Sequence, residues 1–296
     1  MKPTSLAALA LLAVAAPAAL QAQSLYEQAR AAFARNQLDT AYNLIQRAAE
    51  AEPNRAEVHA WLGQIAGRKA QRGGFPGGFG AARKCKAGYS RAVALEPGNL
   101  DYLEGLAEFL SQAPGIVGGD RDSALVLAER IRRSDEARGT FLMADVLRRG
   151  NARWKARADS VLDAYAGAHA ADRTAQLSVA NSFARNQQDA RALPFFERLA
   201  ARDTSDALAR YGLGRTLVVL KREPRRAQPH LWFASRAPAP AAGQPSIAAG
   251  APWWRLGQSY VQLGIPDSAR ICFERALQLN PQFRQARQSL DSLSRR

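Results

Sequence analysis

The sequence predicts an all-α chain of about seven antiparallel helical hairpins followed by one terminal helix. The clearest observation is in residues 253–281, where small and large apolar residues recur at the spacing of two facing helices and Pro281 follows the second helix. The same spacing recurs upstream in weaker form. One helical hairpin cannot bury its apolar face alone, so the clear copy requires stacked neighbours.

The last hairpin resembles a tetratricopeptide repeat. The residues that carry the resemblance are Trp253, Leu256, Gly257, Tyr260, Ala269, Phe273, Ala276 and Pro281. Gly257 and the two alanines are the small contacts that let the helices approach, and the large side chains fill the space between them. The resemblance implies a right-handed α-solenoid with a C-terminal capping helix, and a function that depends on an interaction surface.

Residues 1–22 are predicted to be a signal peptide. Lys2 precedes the apolar run SLAALALLAVAA, and the segment ends in Leu20-Gln21-Ala22, which resembles a small-residue cleavage site. The alternative is a buried or membrane-spanning helix, but the run is shorter than the roughly twenty apolar residues that a bilayer requires. We therefore expect an exported chain, periplasmic or secreted after cleavage near Ala22, with residues 23–296 as the solenoid.

The other hairpins follow from the same periodicity of small and apolar residues. The first three are indicated by Ala29, Ala41, Ile45, Ala48 and Pro53, by Leu62, Gly63, Ala66, Tyr89, Ala92 and Pro97, and by Leu103, Leu106, Ala107, Leu110, Ala124, Ala128 and Ile131. The next three are indicated by Met143, Ala144, Leu147, Ala158 and Leu162, by Val179, Ala180, Phe183, Ala192, Phe196 and Leu199, and by Tyr211, Leu213, Gly214, Ala227 and Leu231. Residues 282–293 read as an amphipathic capping helix, with a partner-docking helix as the alternative.

Two segments interrupt the period and are predicted to be inserted loops, near residues 67–82 and 235–250. The first contains GGFPGGFG, which resembles a phosphate-binding loop only in composition because no Lys-Ser or Lys-Thr follows it. A mobile insertion is favoured for this segment, and a partner-contact loop stays open. The third hairpin has a longer turn, APGIVGGD, in which Asp120 or Asp122 is expected to cap the next helix. This string resembles a segment of exported bacterial tetratricopeptide proteins.

No catalytic, metal or cofactor site is predicted. The three histidines, His59, His169 and His230, fall in different hairpins, and no CxxC, HExxH or GxSxG motif occurs. Cys85 and Cys272 are expected to be free, mostly buried thiols, with a reactive Cys85 as the weaker reading. We therefore expect a non-enzymatic protein without cofactors.

The chain carries a formal net charge of +15, and arginine supplies most of its positive charge. In tetratricopeptide families the first helix of each hairpin lines a concave groove, and the resemblance places Arg148, Arg149, Asn181, Arg185, Tyr211, Arg215, Trp254 and Gln258 there. Such a groove suits a protein or an acidic peptide with its carboxylates. The alternative is that these arginines are scattered on a solvated face. Nucleic acid is not an expected partner.

The function favoured by the sequence is a non-catalytic interaction scaffold of the bacterial envelope, with a transport or secretion accessory as its sharper form. One alternative is attachment of Arg-rich faces to an anionic envelope polymer or membrane surface. A further alternative is an enzyme subunit that uses the inserted loops.

Overall fold

A computed structural model describes residues 25–74, 76–238 and 241–294. Within these residues the regular structure consists of fifteen α-helices and one 3-10 helix, with no β-strand. The predicted all-α fold is confirmed. The predicted signal peptide lies outside the described residues.

The chain divides into two compact units, and the boundary between Leu162 and Asp163 falls within α8. The helices are α1 (25–34), α2 (Leu38–Ala51), α3 (Ala56–Gly73), α4 (Phe79–Leu95), α5 (Leu100–Gln112), α6 (Arg121–Ser134), α7 (Glu136–Arg148), α8 (Ala152–Ala168), α9 (Arg173–Arg185), α10 (Asp189–Arg202), α11 (Ala207–Val219), α12 (Pro224–Arg236), α13 (Ala251–Gln262), α14 (Pro266–Leu279) and α15 (Arg284–Ser294). Taken in chain order, α1 to α14 form the seven predicted hairpins, and α15 is the predicted terminal helix.

The small residues predicted at helix contacts are buried in both units. Ala41 and Ala107 in the first unit, and Ala180 and Ala269 in the second, have no exposed surface. Large side chains lie beside them, and Tyr26, Phe183, Phe196 and Phe273 are the largest fully buried ones. Alternation of small and large residues lets neighbouring helices approach closely while the remaining space is filled.

The prediction of a loop near residues 67–82 is wrong for most of that segment. Helix α3 continues to Gly73 and α4 begins at Phe79, so they have 18 and 17 residues, whereas α5 has 13. The glycines serve close packing of the two helices. A Cβ on Gly78 would lie 2.3 Å from the Ala70 carbonyl oxygen, and a Cβ on Gly88 would lie 2.7 Å from the Gly63 nitrogen. The result is a lengthened helical hairpin. In the second predicted loop, Ser235 and Arg236 still belong to α12, and residues 237–238 and 241–250 are not helical.

Carboxylate side chains fix where several helices begin. Asp120 accepts hydrogen bonds from the amides of Asp122 and Ser123, both at 3.1 Å. The sequence analysis expected either Asp120 or Asp122 to cap this helix, and the structure shows that the cap is Asp120. Asp206 accepts from the Ala209 amide at 3.1 Å at the start of α11. Such caps satisfy amides that have no partner within the helix.

Many arginines hold helices and turns together. Arg130 in α6 donates to the Pro97 carbonyl at 2.8 Å, and Arg202 in α10 donates to the Ala171 carbonyl at 2.8 Å. Arg173 donates from Nε and Nη2 to the two carboxylate oxygens of Asp206, at 2.6 and 2.7 Å. Burial raises the pKa of the Asp206 carboxyl, but the hydrogen bonds from Arg173 and the Ala209 amide, together with the charge of Arg173, outweigh this effect and keep the pKa below its usual value. Part of the positive charge of the chain therefore belongs to arginines that stabilise the fold.

We expect Gly88→Ala to lower the free energy of unfolding by about 1–3 kcal/mol, because the new methyl group would overlap the backbone of α3. The matched control is Gly80→Ala in the same helix, where a Cβ would meet nothing within 4 Å. That change should be neutral or stabilising by up to about 1 kcal/mol. Urea unfolding followed by circular dichroism measures both. Equal stability of the two variants would contradict close packing at Gly88.

Candidate functional site

The first helices α9, α11 and α13 lie side by side in the second unit. Arg215 in α11 donates to the Ala184 carbonyl in α9 at 3.4 Å, and Gln262 in α13 donates to the Val218 carbonyl in α11 at 2.8 Å. These contacts form a continuous surface from three successive hairpins. Six of the eight predicted groove residues belong to these three helices.

Two arginines and a tyrosine form the centre of this surface. Arg215 forms an ion pair with Asp189 at 3.1 Å, and Arg255 donates to the Gln258 side-chain oxygen at 2.8 Å. Tyr211 lies beside both guanidinium groups. Burial raises the pKa of the Tyr211 phenol, and the two arginines oppose that shift. We call Tyr211, Arg215, Arg255 and Gln258 the Arg215–Arg255 site.

The electrostatics of the Arg215–Arg255 site leave it with excess positive charge. Burial lowers the pKa of the Arg255 guanidinium, and the like charge of Arg215 lowers it further. Tyr211 and the carboxylate of Asp189 act in the opposite direction. One carboxylate cannot neutralise two guanidinium groups, so an anion placed here would gain from both charges.

Arg255 is a central residue that the sequence analysis missed. It lies three residues before Gln258, which places the two side chains on the same face of α13. This helical spacing was the available signal. Its neighbour Trp254 was predicted instead, because the resemblance to tetratricopeptide repeats places Trp254 and Gln258 in the groove.

Trp254 supports the site through the terminal helix. Its indole Nε1 donates to the Ser289 hydroxyl in α15 at 3.0 Å, and its ring packs against Phe283 at 5.4 Å between centroids. The Arg255 guanidinium carbon lies 4.1 Å from the centre of the Trp254 ring. The indole therefore positions Arg255 by a cation–π contact and connects it to α15.

The remaining predicted residues occupy different environments. Asn181 and Arg185 are exposed on α9. In the first unit, Arg148 forms an ion pair with Asp159 at 3.0 Å, and its side chain is only 10% exposed. That contact gives Arg148 a role within the fold. Arg149 is exposed at the end of α7.

The two cysteines are free and buried, as predicted. Burial raises the pKa of the Cys85 thiol to about 12 and that of the Cys272 thiol to about 11. Because the thiolate is the reactive form, both groups are unreactive near neutral pH.

Comparisons with known proteins agree with this architecture. Residues 250–283 match the sequence model of the family described as tetratricopeptide repeat. A tetratricopeptide repeat protein from Parabacteroides merdae is similar in structure, with a TM-score of 0.52 and 14% identity over 92% of this chain and 98% of that protein. Yeast Tom70 is similar with a TM-score of 0.54 and 12% identity over 88% of this chain and 51% of that one. No curated protein sequence matches the chain.

The resemblance to tetratricopeptide repeat proteins is therefore confirmed at the level of the fold. Proteins of this class mediate protein–protein interactions through the surfaces of their stacked helices. Among the described helices, none has the length and apolar character needed to cross a membrane.

We expect both thiols to resist modification in the folded protein at pH 8, since that pH lies far below their raised pKa values. Titration with Ellman's reagent should detect almost no thiol in the native chain. Addition of guanidinium chloride should expose both cysteines, so that two thiols per chain react. Rapid labelling of one cysteine in the native chain would show that its burial is incomplete.

Proposed function

We propose that this chain is a non-catalytic scaffold that binds an acidic peptide segment at the Arg215–Arg255 site. The observation that carries the proposal is that the partly buried guanidinium groups of Arg215 and Arg255 act on each other, while the carboxylate of Asp189 forms its ion pair with Arg215. The planar guanidinium fork of arginine matches a carboxylate in two parallel hydrogen bonds. Tyr211 adds an apolar ring face and a hydroxyl group at the same place.

A peptide is the favoured ligand because the site extends across three successive first helices. Asn181 and Arg185 on α9 lie at one end of this set, and Gln258 on α13 lies at the other. Side-chain amides bind the backbone of an extended peptide, and the cations bind its acidic side chains or terminal carboxylate.

The proposal is tested with a fluorescent peptide, Gly-Tyr-Asp-Asp-Glu with a free carboxyl terminus, and its counterpart in which lysine replaces the acidic residues. Arg255→Met keeps the apolar stem of the side chain and removes its charge. We expect this variant to bind the acidic peptide about 10-fold more weakly, because a hydrogen bond to a charged group contributes about 1.5–3 kcal/mol. Fluorescence anisotropy measures the affinity.

The matched control is Arg270→Met, since Arg270 is exposed on the second helix α14. It should leave the affinity unchanged. Equal binding of the acidic and basic peptides, or full affinity in Arg255→Met, would contradict the proposal. A similar loss in both variants with a steep dependence on salt would favour attachment to an anionic polymer or membrane surface.

We also propose that the chain acts in the bacterial envelope after export. The support is the segment of residues 1–22, with Lys2, its apolar run and the Leu20-Gln21-Ala22 end. In bacteria that produce the full chain, we expect the protein in the periplasm or medium, with its amino terminus near Gln23. Cell fractionation and amino-terminal sequencing measure both. Retention in the cytoplasm with an intact Met1 would contradict export.

A further inference from the structure

The first unit contains a cavity of about 580 Å³ between α3, α4 and α5. Phe33 of α1 also lines it, so three successive first helices contribute to one site. The volume lies within the roughly 300–1,000 Å³ of typical ligand pockets. This cavity is separate from the Arg215–Arg255 site, which belongs to the second unit.

Two departures from regular repeat geometry border the cavity. One is the lengthened hairpin, whose residues Ala70 and Phe79 form part of the wall. The other is the long turn after α5, which contributes Pro114 and Val117. Lys86 of α4 donates to the Gly118 carbonyl at 3.0 Å and fixes this turn against the hairpin. The lengthened hairpin and the long turn therefore both form walls of this cavity.

The floor of the cavity is apolar and flat. The Tyr89 ring lies between the backbones of α3 and α5, because Gly63 and Gly105 carry no side chain. A Cβ on either glycine would lie less than 3 Å from that ring. Phe109 adds another aromatic wall. Such a surface favours an apolar side chain, and burial of that side chain would drive binding.

The rim carries charges of both signs, because Arg68 on α3 and Glu108 on α5 both line the cavity. The carboxylates cluster around Glu108, and Arg68 is not among the charges that shift its pKa. Glu108 on α5 lines the cavity, and its carboxyl oxygens form no ion pair among the described residues. Burial raises the pKa of Glu108, and the carboxylates of Glu104 and Asp145 raise it further, against Arg149 and Arg138. Arg138 is itself bound to Asp101 and Glu104. A cation beside Glu108 would relieve this repulsion.

Exposed amide side chains surround the same opening. Gln64, Gln71 and Gln112 line the cavity and are exposed to solvent. Each carboxamide offers both donors and an acceptor, which matches the N–H and C=O groups of a peptide backbone. The polar rim and the apolar floor together fit a peptide segment that carries an apolar anchor.

We propose that this cavity binds a peptide segment in which an aromatic or aliphatic side chain stands next to a lysine or arginine. The apolar side chain enters the cavity, and the cation lies against Glu108. The ligand is opposite in charge to the one proposed for the second unit. The chain would thus recognise two different peptide chemistries, one in each unit.

The test uses the full chain and three fluorescent peptides. The first contains Phe-Lys-Phe flanked by glycines, the second has Glu in place of Lys, and the third has Ser in place of both Phe residues. We expect the first peptide to bind at least tenfold more tightly than the third, because only its rings fill the cavity. Anisotropy titration at low and physiological salt measures the affinities.

Two variants locate the binding. Glu108→Gln removes the charge with little change in shape, and should weaken the Phe-Lys-Phe peptide about tenfold, as expected for loss of a charge-assisted contact. Glu50→Gln is the matched control, since Glu50 is exposed on α2 outside the cavity lining. Ala70→Leu puts a larger side chain into the wall of the cavity and keeps a good helix former in α3. It narrows the space for the apolar side chain of the peptide, so it should weaken binding. Circular dichroism confirms that each variant is folded.

Several outcomes would overturn the proposal. These are no binding of the Phe-Lys-Phe peptide, full affinity in Ala70→Leu, or equal effects of Glu108→Gln and Glu50→Gln. The Arg255→Met variant should bind the Phe-Lys-Phe peptide normally. Failure at the cavity is therefore distinguishable from failure at the Arg215–Arg255 site.

Discussion

Close approach of helices through small residues is the constraint on which the structure depends. Gly257 on α13 faces Phe273 on α14, and Gly212 on α11 faces Phe196 on α10. In each case the phenylalanine ring occupies the space that a side chain on the glycine would need. The same pair of residues therefore determines the distance between the two helices and fills the core between them. The side chains that face solvent from the first helices can change without disturbing this arrangement.

The hairpins could be predicted from sequence because their periodicity is local. Small and large residues recur at helical spacing, and the burial of Ala41 or Phe273 follows directly. The segment near residues 67–82 was misread because glycine serves both for loops and for close backbone contact. Only the position of a neighbouring backbone distinguishes these uses, as at Gly78 and Ala70. The cavity was missed for a related reason, since Phe33 and Val117 are far apart in sequence.

Arginine illustrates why the candidate site was harder to predict than the fold. Arg148 and Arg255 both belong to first helices, and nothing in the residue type distinguishes them. Arg148 is held by Asp159, whereas Arg255 lies on an indole ring beside a second guanidinium group. Their surroundings come from other helices, which sequence spacing alone does not specify. The composition gives the number of arginines. Only the structure shows which of them form an ion pair with a carboxylate.

The contact of Trp254 with Ser289 and Phe283 connects the terminal helix to the proposed peptide site. Helix α15 has 11 residues and lies at the end of the described chain, where local unfolding costs least. Detachment of α15 would break the hydrogen bond that holds the Trp254 indole, so the ring would no longer fix the position of Arg255. Peptide binding at the proposed site would thus be thermodynamically linked to docking of α15, and each would stabilise the other by the same coupling energy. An event that removes α15, such as proteolytic trimming, would tune affinity without altering any residue that touches the ligand.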